Sequence, residues 1–457
     1  MKEILASPRC CAKIRPQAAR GNMTAPPSKS VSHRMLICAA LAEGTSTLSG
    51  LSFSEDILAT IDTMSALGAR FERVGAVLGD GVTPDPHGGE TVRVYGCGGR
   101  LTAPDQPTLA PLFCRESGST LRFLVPLCLL SPSARMLQGS TRLFSRPLTV
   151  YEHLFSERWG EREVREDDPP RGGTLQLRRG NTLGGGEYQL SGDISSQFIT
   201  GLLFALPLCE QDSRIVLTSR LESRPYIDLT IDALRSFGVR VDWESESILC
   251  IPGKQSYHPY DGRVEGDASN AAFFGALNFF GGEVVLNGLK PDSLQGDRVF
   301  DALFREIGAP RGERDSALPR IDLADCPDLA PILFAVAAEH GGAIFTHTDR
   351  LRIKECDRIA AMQEELAKFG AVIEAEDGRE GSPGATCGGM VRVLPTKLHP
   401  PISPLNGHND HRVVMSLCVL ATKYGGEVQG AGAVRKSMPS FFDVLMSLGA
   451  DVTLEVE

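Results

Sequence analysis

The sequence has 457 residues, of which 42% are hydrophobic and 23% charged, and a formal net charge of -10. That length allows two or three domains, and the composition is ordinary for a globular protein. The negative balance argues against a nucleic-acid binder or a membrane-surface protein, since both want an excess of positive charge. The twelve cysteines include one adjacent pair, Cys10-Cys11, and show no C-x-x-C or Cys/His cluster with zinc spacing. Cys38, Cys128, Cys209 and Cys418 lie in apolar segments, as small buried hydrophobes do in a reducing compartment. No run approaches ~18 apolar residues, and the opening segment lacks the apolar core of a signal peptide. A cytoplasmic protein without metal or organic cofactor is expected.

One pattern recurs along the chain: a short strand, a polar turn, then an amphipathic helix closing near glycine. Copies begin at Gly44, Ser213, Gly281, Gly341 and Gly425, with a weaker one at Ser133. Each copy switches hydrophobic period from two to about 3.6, as a strand followed by a helix should. In "IAAMQEELAKFG", Ile359, Met362, Leu366 and Phe369 fall on one face with the charges expected opposite, and Gly370 suits a left-handed stop. The copies lie roughly 60 to 90 residues apart, too long for a solenoid. Six α/β units in two globular domains fit better. Each strand-to-helix turn aims a helix N-terminus, with about half a positive charge, the same way relative to its strand, so converging turns attract anions.

In chain order, the polar segments at helix starts are unusually dense. "PPSKSVSHR" places Lys29, Ser30 and Arg34 at the opening of an apolar helix, with Ser30 or Ser32 as the expected cap. Cations in a first turn oppose the helix dipole and make sense beside an anion. "ESGSTLRFL" offers a glycine and three hydroxyls but is not a Walker P-loop. "SGDISSQF" sets Ser195, Ser196 and Gln197 at the next helix start, more donors than one cap needs. Asp328 in "DCPDLAP" reads by itself as a cap. "RLRIKECDRI", Arg350 to Ile359, carries six charged residues in ten, ordinarily a wet face. "GHNDHRVV" puts Asn409, Asp410, His411 and Arg412 before a wholly apolar helix. Capping explains each segment singly but not the whole set.

"PPSKSVSHR", "SGDISSQF", "SRPYIDLT", "EGDASNAAFF", "RIKECDR" and "NDHR" resemble, in order, the motifs of the 5-enolpyruvylshikimate-3-phosphate synthase family. The resemblance runs from about Ala25 to Phe442. It implies an α/β fold of two domains, each of three repeated β-α units in an inside-out barrel of the enolpyruvyl transferase type, with the active site in the interdomain cleft. The expected N-terminal domain is 28–264. The C-terminal domain is 1–27 with 265–457, and hinges lie near 27–30 and 264–267. The implied reaction moves the enolpyruvyl group of phosphoenolpyruvate to the 5-hydroxyl of shikimate 3-phosphate and releases phosphate, with no cofactor, metal, nucleic acid or membrane, in a monomer. Two phosphates of about -1.5 to -2 each, plus carboxylates, bring roughly -5 to -6 of charge. Dense cations answer that charge.

By motif, the resemblance implies that Lys29, Ser30, Arg34, Ser195, Ser196, Gln197, Ser223, Tyr226, Asp328 and Lys354 bind shikimate 3-phosphate. Lys29, Gly118, Arg146, Gln197, Arg358, Arg412 and Lys436 would hold phosphoenolpyruvate. Arginine suits such positions because its fork matches carboxylate and phosphate oxygens. Asp328 would take the proton of the attacking hydroxyl, and Glu355, with Lys29 and Lys436, would serve proton traffic at the methylene carbon. Glu355 reads equally as a salt-bridge partner of Arg358. His411 would protonate the leaving phosphate or orient Arg412, the second being favoured.

Departures from the family pattern are Glu116, Ser119, Phe123, Arg350 and His408, with Arg115 or Arg350 expected to compensate Glu116. Gly118 points towards glyphosate sensitivity. The related transferase acting on a UDP-sugar has Lys-Asn in place of Lys29-Ser30 and a reactive cysteine near "QGSTRLFSRP", where this chain has none. A non-catalytic binder of phosphorylated ligands would explain the cations but not Asp328, Glu355 and His411 in the same motifs.

Overall fold

The computed structural model describes residues 2–7, 9–75, 89–101, 111–310, 317–378 and 388–456. The chain divides into two compact units, Pro27–Glu265 and Met1–Pro26 with Gly266–Glu457. In the first unit three sheets share one topology. Gly262–Arg263 runs parallel to Thr45–Leu51, which pairs antiparallel with Glu90–Tyr95, itself antiparallel to Arg70–Gly75. The same sequence of pairings orders Leu112–Phe113, Arg135–Gly139, Gly173–Leu177 and Trp159–Val164. It recurs in Gly186–Leu190, Ser213–Leu217, Ile248–Ile251 and Asp242–Ser245. Alternate residues such as Val92 and Val94, Leu175 and Leu177, or Ile215 and Leu217 are buried, the period of two that leaves one sheet face wet.

The second unit repeats that scheme. Arg320–Asp322, Ala343–Thr346, Met390–Leu394 and Val372–Glu376 form one such sheet. Another joins Leu405–Asn406, Gly426–Gln429, Cys10–Arg15 and Asp451–Val456, so an early strand sits inside a sheet made from the end of the chain. The third is described as a parallel pair, Arg20–Thr24 with Glu283–Asn287. These are the β-α units that the sequence pattern predicts.

Two kinds of helix accompany the sheets. Lys29–Leu41, Gly118–Cys128 and Ser196–Ala205 in the first unit are buried on nearly every side. Ala268–Ala276, Ala330–Glu339 and His411–Tyr424 are their counterparts in the second. Their apolar residues run all round the helix, which only a core position tolerates. Arg224–Ser236 and Arg358–Ala367 instead bury one stripe. Most of the chemistry-bearing segments open the fully buried helices, and Ser223, Tyr226 and Arg358 open the two that bury one stripe.

One expectation fails instructively. Ile359, Met362, Leu366 and Phe369 are buried as the periodicity predicts, but so is Glu365, a charge expected on the wet face. Its carboxylate accepts from Lys368 Nζ at 2.8 and 2.9 Å and from the Asn406 backbone N–H at 2.8 Å, and His408 Nε2 lies 3.0 Å away. By angle Glu365 sits on the apolar stripe, three residues beyond Met362, and its partners are Lys368 at the end of the same helix with Asn406 and His408 from a segment remote in sequence. Glu364, Glu365 and His408 also cluster closely enough to ligate an ion, yet the Lys368 ammonium on both Glu365 oxygens makes the group a salt-bridge network. Glu365→Ala should therefore cost about 2–4 kcal/mol in urea unfolding, because it strands a partly buried cation and a backbone donor. Exposed Glu364→Ala should stay within about 0.5 kcal/mol.

Candidate active site

In the first unit the buried helices present their N-termini together. Ser28, not Ser30 or Ser32, caps Lys29–Leu41: its Oγ accepts from Val31 N at 3.4 Å, and the Ser32 hydroxyl donates to the Ser28 carbonyl at 2.7 Å. Lys29 and Ser30 are left half-buried in the first turn. Lys29 Nζ lies 2.8 Å from Asp56 Oδ2, at the start of Glu55–Ala66. Arg34 is buried and acts as a strut. It donates to the Ser30 carbonyl at 2.7 Å, the Tyr226 carbonyl at 2.7 Å and the Thr230 hydroxyl at 2.9 Å. Burial draws its pKa down to about 10, so it stays charged at neutral pH. Ser223, buried with φ of 60°, and half-buried Tyr226 open Arg224–Ser236.

A second group surrounds the start of Gly118–Cys128, capped by Ser117. Ser195 caps Ser196–Ala205 by accepting from Gln197 N at 3.3 Å. The Gln197 side chain then accepts from Arg122 Nη1 at 2.8 Å and donates to Ser119 Oγ at 3.1 Å. A Cβ added at Gly118 would lie 2.7 Å from Arg146 Nη1 and 3.0 Å from Arg122 Nη1. Gly118, Arg146 and Gln197 are thus brought together, with Arg122 as a member that the motif reading missed. Its signal was a lone cation inside the apolar run "STLRFLVPL". Asp56 was missed too. Of the two cations proposed to answer Glu116, Arg115 pairs with Asp62 at 2.8 Å, and Arg350 Nη2 donates to the Ala324 carbonyl at 2.6 Å.

The second unit holds the denser centre. No residue from Arg350 to Ile359 is exposed, so the charged run is no solvated face. Arg358, 1% exposed, opens Arg358–Ala367 and meets three carboxylates: Asp410 Oδ2 at 2.8 Å, Asp328 Oδ1 at 2.9 Å and Glu355 Oε2 at 2.9 Å. The Glu355 pairing is the salt bridge that the spacing suggested. Asp328 is no helix cap, for neither of the turns beside it has a side-chain cap bond. It is instead surrounded by cations, with Arg412 Nη2 at 3.0 Å and Lys354 Nζ at 3.4 Å in addition to Arg358. Asp410 caps His411–Tyr424 through the Arg412 N–H at 2.8 Å while binding Arg358. His411, buried, begins that helix, and Lys436 Nζ donates to the Asn409 carbonyl at 2.6 Å.

These contacts set the charge states. Burial would raise the Asp328 pKa, but Arg412, Lys354 and Arg358 outweigh it and hold the carboxyl well below its usual range. Burial would lower that of Arg358, yet Asp410, Glu355 and Asp328 keep it well above its ordinary value. For Lys354 burial wins over the Asp328 charge and draws the ammonium down to about 8. Among the described residues no helix is long and apolar enough to cross a membrane.

The sequence model of the EPSP synthase (3-phosphoshikimate 1-carboxyvinyltransferase) family matches residues 14–445. The chain is 37% identical to the 3-phosphoshikimate 1-carboxyvinyltransferase of Clostridium beijerinckii, covering 96% of this chain and 97% of that one. The chain belongs to the EPSP synthase family. The Clostridium kluyveri enzyme of the same name is 36% identical, with 96% and 97% covered. The fold matches that of EPSP synthase from Acinetobacter baumannii with a TM-score of 0.69 at 24% identity, over 98% of this chain and all of that one.

Within this family member, Lys354 supplies a pH test. The free protein's kcat/KM for anionic substrates should fall as pH rises through about 8, as the ammonium beside Asp328 loses its proton. Lys354→Arg, which keeps its charge, should remove that limb in rate profiles taken across the alkaline range.

Proposed function

We propose that the chain transfers the 1-carboxyvinyl group of phosphoenolpyruvate to the 5-hydroxyl of shikimate 3-phosphate, the shikimate-pathway step towards aromatic amino acids. The observation that carries the reading at residue level is Asp328, a carboxylate held by Lys354, Arg358 and Arg412, in a family member. Displacing phosphate from a vinyl carbon requires a proton at the methylene carbon, attack of the hydroxyl oxygen on its neighbour, then loss of that proton and of phosphate. Asp328 is assigned to the hydroxyl proton. Glu355, beside Arg358, is assigned to the methylene with Lys436 and Lys29, and His411 orients Arg412.

Arg358, Arg412 and Lys436 in one unit, and Lys29, Gly118, Arg146 and Gln197 in the other, are assigned to phosphoenolpyruvate. Lys29, Ser30, Arg34, Ser195, Ser196, Gln197, Ser223 and Tyr226, with Asp328 and Lys354, are assigned to shikimate 3-phosphate. Arg34 acts there by holding the Ser30 and Tyr226 carbonyls. The closeness of Gly118 to Arg146 supports its place, since any side chain there would push on the guanidinium. Rate enhancement comes chiefly from such preorganised charge. The reading takes the protein as a cytoplasmic monomer. Buried free thiols such as Cys38 and Cys418 suit a reducing compartment, and each unit has its own core.

Phosphate release from phosphoenolpyruvate should depend on shikimate 3-phosphate and not occur with UDP-N-acetylglucosamine. Release with the UDP-sugar alone would move the protein to the sister activity. Asp328→Ala and Lys29→Ala should each lower turnover at least ~100-fold, as loss of a proton acceptor or of a preorganised charge does. A near-normal rate for Asp328→Ala would remove that residue from the mechanism.

A further inference from the structure

Behind Arg412 lies a carboxyl that no motif singled out. Asp297 occupies the short turn Gly296–Val299 and is 4% exposed. Ser269, in the first turn of Ala268–Ala276, stands between the two: its Oγ accepts from Arg412 Nη1 at 2.6 Å, and its hydroxyl bonds the Asp297 carboxyl. A serine hydroxyl has one proton to give. With the guanidinium donating to Ser269, that proton goes to Asp297, which makes a directed chain from Arg412 through Ser269 to Asp297. Arg412 also meets Asp328, with Nη2 3.0 Å from Oδ2 and the second Nη1 proton directed at the carbonyl 3.1 Å away. The charged and titratable groups facing Asp297 are Asp267, which caps the Ser269 helix, Asp328, Arg412 and Cys326.

We propose that Asp297 is a positioning residue for the transfer reaction, anchoring the Arg412 guanidinium through Ser269 so that its remaining donors face Asp328 and substrate at a fixed angle. The proposal rests on the transferase reading above. A planar guanidinium held at Nη1 by Ser269 has the directions of its other N–H groups set in advance, which is how preorganised donors act. Burial, and after it the neighbouring Asp328 charge, push the Asp297 carboxyl up to about 7. Its charge therefore changes within the working pH range, and asparagine mimics the protonated form.

The test compares kcat/KM for phosphoenolpyruvate in wild type and Asp297→Asn across pH, with melting temperatures as a fold check. The ratio of the two cancels ionisation of the substrates. It should be about tenfold at alkaline pH, the size expected for loss of a charged hydrogen bond, and fall towards one below about pH 6, where the wild-type carboxyl is itself protonated. Ser269→Ala, which breaks the relay without touching the carboxyl, should lower kcat/KM by about tenfold. The double variant should then be no worse than Ser269→Ala alone, since both changes act on one chain. A ratio that is constant with pH would mean simple packing and overturn the proposal, as would an unaffected Ser269→Ala. An inactive wild type would overturn the transferase reading and this inference together, whereas an active wild type with a flat ratio overturns only the inference.

Discussion

A guanidinium that is 1% exposed has lost nearly all of its hydration, and burial on that scale is tolerable only with several matched anions. Arg358 meets that condition by drawing carboxylates from three places. Asp410 is the cap of a buried helix, Asp328 sits in the turn before another, and Glu355 lies three residues upstream. Each anion is held by a different element, so the three segments must reach their positions together for the pairings to form. Removing one carboxylate would leave the cation under-compensated, and removing the cation would leave Asp410, which is fully buried, in the same plight. The chemistry-bearing turns of the second unit therefore depend on one another through this ion.

The repeated architecture supplies the supports. A helix buried on all sides cannot leave its first N–H groups to water, and five of the six meet this with a side-chain cap, while Ala330–Glu339 continues directly from the turn Pro327–Leu329. Ser28, Ser117 and Ser195 do this in one unit, and Asp267 and Asp410 in the other. With the cap satisfied by the residue before the helix, the residues of the first turn are freed for other partners. Lys29, Gln197 and Arg412 all occupy that turn. The cations that looked unfavourable against the helix dipole are matched by side chains from neighbouring helices, as Asp56 does for Lys29.

Periodicity made the strands, the amphipathic helices and the wholly apolar helices legible, because each pattern is local. Lys29, Ser195, Gln197 and Arg412 stood out because polar residues cluster where helices begin, whereas Arg146, Ser223, Tyr226 and Lys436 came only from the family resemblance. What stayed hidden depends on partners remote along the chain. Asp56 acquires its meaning from Lys29, 27 residues away. Gln197 meets Arg122 across 75 residues, and Arg358 meets Asp410 across 52. Glu365 shows the same limit in reverse, since its angle on the helix was clear but its chemistry argued for water. Asp297 had no signal beyond a single acid in a loop, and only the Ser269 hydroxyl gives it a place.

The charges in the second unit come in balance: Lys354, Arg358 and Arg412 face Asp328, Glu355 and Asp410. On the proposed reading, an arriving phosphate or carboxylate must compete for donors already engaged, chiefly those on Asp328. That competition has a chemical consequence. Asp328 is a poor base while Arg412, Lys354 and Arg358 hold its pKa down. An anion that draws those cations towards itself weakens their hold and raises the basicity of the carboxylate. Asp410 keeps its two contacts to Arg358, through Nε at 2.8 Å and Nη2 at 3.5 Å, so the guanidinium can shift its allegiance at the Asp328 edge while staying anchored at the other. Binding and activation of the base are then one event, which ties proton removal from the hydroxyl to the presence of the second substrate.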